Sequence, residues 1–153
     1  MGAGALAASF GYLRFIKAAN KKKELRRWNG LITAVIDCAF HLHRDVGPGL
    51  LESVYETVLA KRLSALGFKV EKQKPIAIDI DGIAFGDAFR ADLIVNGILL
   101  LEIKSVENLA PVHIKQVLTY LRLMNQPLGL LINFGSDRFS GSVKRITNNH
   151  QCD

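Results

Sequence analysis

A chain of 153 residues is one domain's worth and can bury a single core. Its 49% hydrophobic and 22% charged residues exclude wholesale disorder. No apolar stretch reaches the roughly 18 residues a membrane span needs, and Cys38 and Cys152 cannot by themselves make a disulfide-dense scaffold or a four-ligand zinc site. The composition predicts a cytoplasmic protein with reduced thiols.

The formal net charge of +6 is unevenly placed. Residues 1–30 hold seven basic side chains (Arg14, Lys17, Lys21, Lys22, Lys23, Arg26, Arg27) against Glu24 alone, so that segment carries the whole excess. The remainder is neutral. A basic balance points to nucleic acid or an anionic surface, here only for the first segment. The segment does not fit a signal peptide, because Arg14 and Lys17 interrupt the apolar start and the charge follows it. Met1-Gly2 without Ser or Thr at position 6 does not fit myristoylation. Residues 1–30 therefore read as a basic extension, either an amphipathic helix for a polyanion or a solvated, partly helical tail.

A folded domain is expected over residues 31–149. Leu31, Val35, Cys38, Ala39 and Leu42 recur at helical spacing over 31–44, until Asp45-Val46-Gly47-Pro48-Gly49 breaks the pattern. A second helix runs over 50–66, with Gly67 at the capping position. The period then changes to that of strands at 68–70 and 76–80, followed by the Asp81-Gly82 turn signal. Further strands follow at 89–95 and 98–104, joined at Asn96-Gly97. Pro111 opens a third helix over 111–124. A buried strand spans 128–134, and a short one is expected near 143–146. The order α-α-β-β-β-β-α-β describes a mixed α+β or α/β layered domain.

Three charges stand where charges are costly. Asp92 lies in the apolar run 89–95, and Glu102 and Lys104 lie in 97–104. Burying such groups without partners costs several kcal/mol or more, in rough terms. Either a structural ion-pair cluster or a cation site must compensate. Glu102 and Lys104 are two apart and share a strand face, with the Ile103 carbonyl between them as a further oxygen. Oxygen ligands of this kind suit Mg²⁺ or Mn²⁺.

Register tests the choice. A two-residue loop at Asn96-Gly97 pairs Asp92 with Leu101 and points Asp92 away from Glu102. A three-residue loop, Val95-Asn96-Gly97, pairs Asp92 with Leu100 and makes Asp92 and Glu102 diagonal neighbours on one face. The cation site requires that bulged turn or another departure from the simple hairpin. Glu52 stands near the start of the second helix, where it can equally complement the helix dipole. His113, Gln116 and Tyr120 share one face of the third helix, which is also the pattern of a solvated face. His41 and His43 do not face each other, and Cys38 falls in the apolar pattern, so neither pairs into a nucleophile and base.

These residues together resemble a known pattern. Gly49-Leu-Leu-Glu52-Ser-Val-Tyr55 fits the signature of the GxxExxY protein family. Asp92, Glu102-Ile103-Lys104 and Gln116-Val-Leu-Thr-Tyr120 then follow in the motif order of the PD-(D/E)XK nuclease superfamily, to which that family is assigned. Val46-Gly47-Pro48-Gly49, Glu71-Lys72-Gln73-Lys74-Pro75 and Leu130-Leu-Ile-Asn-Phe134 resemble the same family, and the resemblance covers about residues 31–147.

It implies a restriction-endonuclease-like core, a mixed sheet flanked by helices. It implies that Asp92, Glu102, the Ile103 carbonyl and Glu52 hold Mg²⁺ or Mn²⁺, that Lys104 polarises the attacking water and steadies developing charge, and that Gln116 and Tyr120 support the site or the nucleic-acid backbone. The activity implied is phosphodiester hydrolysis of nucleic acid, DNA ahead of RNA, with a homodimer as one way to cut both strands. The competing readings are a protein of this fold that binds nucleic acid or regulates without cleaving, and a purely structural ion-pair cluster. Arg90, Lys61, Arg62, Lys115 and Arg122 are the candidates for a basic groove in the neutral domain.

Overall fold

A computed structural model describes the backbone of residues 3–149 and the side chains of residues 17–149. Cys152 and the side chains of the apolar start lie outside the described residues. Helix α1 spans Ala3–Val46. It begins far before the predicted start at Leu31, because the Ala-, Lys- and Arg-rich sequence ahead of Leu31 favours helix and Gly30 costs only about 1 kcal/mol. Between Lys17 and Arg27 every side chain is exposed, so this stretch has no buried apolar stripe. The chain divides into two compact units, one ending at Asp37 and the next beginning at Cys38, with α1 running through the boundary. No described helix is long and apolar enough to cross a membrane.

In the second unit Cys38, Ala39, Leu42 and His43 are buried. Gly47 (φ +69) ends α1, its N–H donating to the His43 carbonyl at 2.7 Å. Helix α2 (Glu52–Ala65) turns Tyr55, Glu56, Leu59 and Leu63 inward. It stops in a Schellman arrangement, Phe68 N–H to Leu63 O and Gly67 N–H to Ser64 O, with Gly67 at φ +90.

The sheet follows as β1 (Val70–Ile80), β2 (Ile83–Val95), β3 (Leu99–Lys104), β4 (Leu128–Asn133) and β5 (Val143–Thr147), with α3 (Pro111–Leu123) between β3 and β4. The spatial order is β1-β2-β3-β4-β5. Only β3–β4 is parallel, and α3 makes the crossover that a parallel pair requires.

The element order therefore differs from α-α-β-β-β-β-α-β in two places, with one strand fewer before α3 and one more, β5, after β4. The strands expected at 68–70 and 76–80 are a single strand, β1, so three strands precede α3, and β5 completes a mixed five-stranded α+β sheet. β1 is an edge strand, the setting in which a proline such as Pro75 is tolerated. It keeps its pairing through an irregularity at Gln73, whose φ is +50. The Asp81-Gly82 turn has positive φ at both residues (+54, +76), the geometry that matches strand twist.

Both faces of the central strands are covered. Leu100, Ile94 and Leu131 pack with Val117 and Leu121 of α3. Leu93, Leu101, Ile103, Leu130 and Ile132 on the alternate positions are fully buried as well. This is why β3 reads as an unbroken apolar run, and why Glu102 in it is conspicuous.

Candidate active site

The β2–β3 connection decides whether two acids meet. Val95 pairs with Leu99, Ile94 with Leu100 and Leu93 with Leu101. The loop is Asn96-Gly97-Ile98, three residues long but one residue later than expected. Asn96 is held by Lys69, through Asn96 N–H to Lys69 O at 2.8 Å and Lys69 N–H to Asn96 Oδ1 at 3.0 Å, and so begins the loop instead of sitting inside it. Asn96 and Gly97 are both left-handed (φ +53, +70). This register excludes the simple hairpin. It sets Asp92 level with Glu102 on one face, not diagonal to it.

The ladder stops there. Asp92 Oδ2 accepts the Ile103 N–H at 2.8 Å, replacing a strand carbonyl. A strand residue's N–H and C=O point to the same side, so the Ile103 carbonyl also faces the gap beside Asp92.

Glu102 is 4% exposed, and its Oε2 has no hydrogen-bond partner among the described residues. Lys104 Nζ lies 3.5 Å from its Oε1. Burial first, and the Asp92 carboxylate second, push the Glu102 pKa up to about 8 against the pull of Lys104. Burial also raises Asp92, opposed by the Ile103 N–H, Lys104 and Gln73. The two acids with one lysine make a compact, desolvated cluster with more negative groups than positive ones.

Helix α2 brings a second set of groups. An open cavity of about 540 Å³ is lined by Glu52, Ser53, Glu56, Gln73, Asp92 and Ser105 together with Leu50 and Leu51. Glu52 is exposed in the first turn of α2, and its Oε1 accepts from Ser105 N–H at 3.4 Å. It thus occupies a helix-dipole position and the cavity rim at once. Tyr55 anchors this corner. Its hydroxyl donates to Gly47 O at 2.6 Å and accepts from Leu50 N–H at 3.2 Å, and its ring stacks on Phe134 at 4.5 Å.

On α3, Gln116 Nε2 donates to the Tyr120 hydroxyl at 2.8 Å, and the Tyr120 ring stacks on Phe89 of β2 at 3.9 Å. Burial raises the Tyr120 pKa, with Glu102, Lys104 and Asp92 all close enough to act on it. His113 is turned elsewhere. Its Nδ1 accepts the Ala110 N–H at 3.1 Å and caps the helix. Of the basic candidates, Arg62 is paired with Asp45 at 3.0 Å and Arg90 with Asp87 at 2.9 Å, while Lys61, Lys115 and Arg122 are exposed.

Two residues of this corner were missed in the sequence. Glu56 is 4% exposed and takes Gln73 Nε2 at 2.9 Å on Oε2, while Oε1 is unpartnered among the described residues. The same Gln73 nitrogen donates to Asp92 Oδ1 at 3.2 Å. Glu56 carries a faint signal: it is an acid four residues after Glu52 and adjacent to a buried tyrosine. Gln73 lies in the segment 71–75 that takes part in the family resemblance, but nothing in an edge-strand pattern announces a left-handed glutamine turned toward Asp92.

Among the described residues, no three His, Cys, Asp or Glu side chains close into a ready cage for a metal ion. The donor set still fits a hard cation. Mg²⁺ takes one or two protein carboxylates and keeps several waters, and here Asp92 and Glu102 stand level, Glu102 with one buried, unpartnered oxygen, while the Ile103 carbonyl is directed at the same gap.

No curated protein matches the chain. The crystal structure of SSO0001 is similar at 22% identity and a TM-score of 0.48, over 63% of this chain and 50% of that one. The chain thus spans half the length of that structure. A family model described as the PD-(D/E)XK nuclease superfamily matches residues 29–146, which takes in α2, the whole β2–β3 hairpin and α3. The chain therefore belongs to the PD-(D/E)XK nuclease superfamily.

Proposed function

We propose that this domain hydrolyses phosphodiester bonds in nucleic acid, using Mg²⁺ or Mn²⁺ held by Asp92, Glu102 and the Ile103 carbonyl, with Glu52 at the rim. The observation that carries this is the β2–β3 register, which levels two acids at the point where the ladder opens and leaves a buried Glu102 oxygen unpartnered. When bound, a divalent cation supplies Lewis-acid polarisation of the phosphoryl oxygen and a lower pKa for water.

The chain's own groups supply the rest. Asp92 is held by one donor on each oxygen, from Ile103 and Gln73, so its orientation is set before substrate arrives. Lys104, mostly buried and next to Glu102, presents a fixed positive charge to the oxygens that gain charge as the bond breaks. Gln116 and Tyr120 form a pre-paired donor couple on α3 that suits a phosphate oxygen of the backbone. DNA is the first substrate to test and RNA the second.

The test is a calorimetric titration of Mg²⁺ and Mn²⁺ into the protein and a Glu102→Ala variant, followed by a DNA and RNA cleavage panel. Binding and cleavage that both vanish in the variant are expected. A protein that binds nucleic acid but takes up no cation at millimolar concentration and cuts nothing would reduce the domain to a binding module. Lys104→Ala is expected to retain cation binding and lose about 10²–10³ in kcat, the usual effect of removing one electrostatic stabiliser. Unchanged kcat would remove Lys104 from the chemistry.

A further inference from the structure

We propose that Gln73, braced by Glu56, is a positioning residue that sets the carboxylate of Asp92 for cation binding. This rests on the function proposed for the site. Gln73 sits between the pairs Lys72–Leu93 and Lys74–Ala91, which places it opposite Asp92 across β1 and β2. Its φ of +50 is left-handed, a conformation that costs a residue with a side chain about 1–2 kcal/mol and persists only where the surroundings impose it. The two hydrogen bonds of its amide, 2.9 Å to Glu56 Oε2 and 3.2 Å to Asp92 Oδ1, are the compensation visible there.

Those bonds do more than fix Gln73. Asp92 receives Gln73 from β1 on one oxygen and the Ile103 N–H from β3 on the other, so the plane of its carboxylate is held from both neighbouring strands. An amide can turn either end toward a neighbour. Two carboxylates converging on one amide select its nitrogen, which has one hydrogen for each. Glu56 thereby fixes the end of Gln73 that Asp92 meets. A nearly fully buried glutamate is a poor way to stabilise a helix, since an apolar side chain of similar volume is often at least as good. Its place beside Gln73 gives it a use, because outer partners of metal-binding carboxylates orient them and are commonly worth 10–100-fold in affinity.

Glycine separates the backbone from the side chain at this position. Gln73→Gly accepts the left-handed φ without strain and deletes the amide. The variant is compared with wild type and Asp92→Asn by thermal unfolding, by Mn²⁺ affinity from electron paramagnetic resonance, and by the amide NMR signal of Ile103 in the cation-free protein. Gln73→Gly is expected to remain folded at room temperature, to bind Mn²⁺ about 10–100-fold more weakly, and to move the Ile103 signal because Asp92 has lost one of its two anchors. If Gln73→Gly does not fold, Gln73→Asn, which tolerates the same φ but is one methylene too short, carries the same expectation.

Wild-type Mn²⁺ affinity and an unmoved Ile103 signal in the folded variant would overturn the proposal and leave the site intact, provided Asp92→Asn abolishes binding. A lower unfolding temperature with unchanged affinity would mark Gln73 as structural only, which also overturns it. A wild-type protein that takes no Mn²⁺ at millimolar concentration would remove the site reading and this proposal together.

Discussion

Glu102→Gln is expected to make the cation-free protein more stable at alkaline pH while abolishing divalent-cation binding and the cleavage that depends on it. The side chain is nearly isosteric, so packing between Leu101 and Ile103 should be preserved. What changes is the charge. Glu102 has a folded pKa near 8 against an ordinary value of 4.5, because burial and Asp92 both oppose its ionisation. Below pH 4.5 the folded and unfolded chains both hold the proton, and Glu102 costs nothing. As pH rises the unfolded chain releases the proton first, the folded chain retains it, and stability falls until the folded group ionises near pH 8.

The loss is roughly 3–5 kcal/mol at about 1.4 kcal/mol per pKa unit. Asp92 and Glu56 are also raised by burial and slope the same way. Urea unfolding of the cation-free protein at pH 5, 7 and 9 should therefore show wild-type stability declining with pH, and a flatter line for Glu102→Gln that lies above it at pH 9. Parallel lines would mean that Glu102 is not a buried, proton-holding acid. Cation binding by the wild type should tighten as pH rises through 8, since the bound form needs the carboxylate ionised.

Asn133→Ala is expected to destabilise the protein by about 2–4 kcal/mol, from three half-buried backbone groups that lose their partner at once. Asn133 is 2% exposed at the end of β4. Its Oδ1 accepts from Val106 N–H and Gly135 N–H, each at 3.0 Å, and its Nδ2 donates to Val106 O at 2.8 Å and Ser136 Oγ at 3.3 Å. The backbones of Val106 and Gly135 approach so closely that a Cβ on Gly135 would overlap Val106.

This clamp also reaches the site. Phe134 N–H donates to Lys104 O at 2.8 Å, and Ser105, one residue further, donates from its hydroxyl to Leu50 O at 2.7 Å. Loosening Val106 should therefore loosen Lys104 and Ser105, with cation affinity falling along with stability. Chemical denaturation checks the first effect and Mn²⁺ titration of the folded variant the second. A change under 1 kcal/mol would show that water replaces the amide without strain.

Much of this candidate site is legible in the sequence. Asp92, Glu102 and Lys104 were marked by one rule, that a charge inside an apolar strand must be compensated. That rule depends only on local composition, and the sheet indeed buries both faces of β3. The requirement for an odd-length loop between β2 and β3 was also legible, because strand alternation is strict. Which odd loop forms was not. The shift by one residue comes from the contacts of Asn96 with Lys69, 27 residues away. The merger of two short strands into β1 was hidden for a similar reason: an edge strand in contact with β2 tolerates both Pro75 and a left-handed Gln73. Helical character before Leu31 follows from local propensity, but its continuity with the helix over 31–44 does not, because a polar segment has no apolar period to carry across the join.

Residue type and spacing within one element were enough for the superfamily, for the candidate acids Asp92 and Glu102 with Lys104 two residues after the second, and for the periodicities of most elements. Tertiary structure alone decided that Asp92 stands level with Glu102, that His113 caps α3 and stays out of the site, and that Glu56 and Gln73 form a second row behind Asp92. Apart from the His113 cap, which is a contact within one turn of helix, each of those facts joins residues on different elements. Such relations follow from the register between strands and the seating of α2 against β1, which are set by the packing of the whole domain.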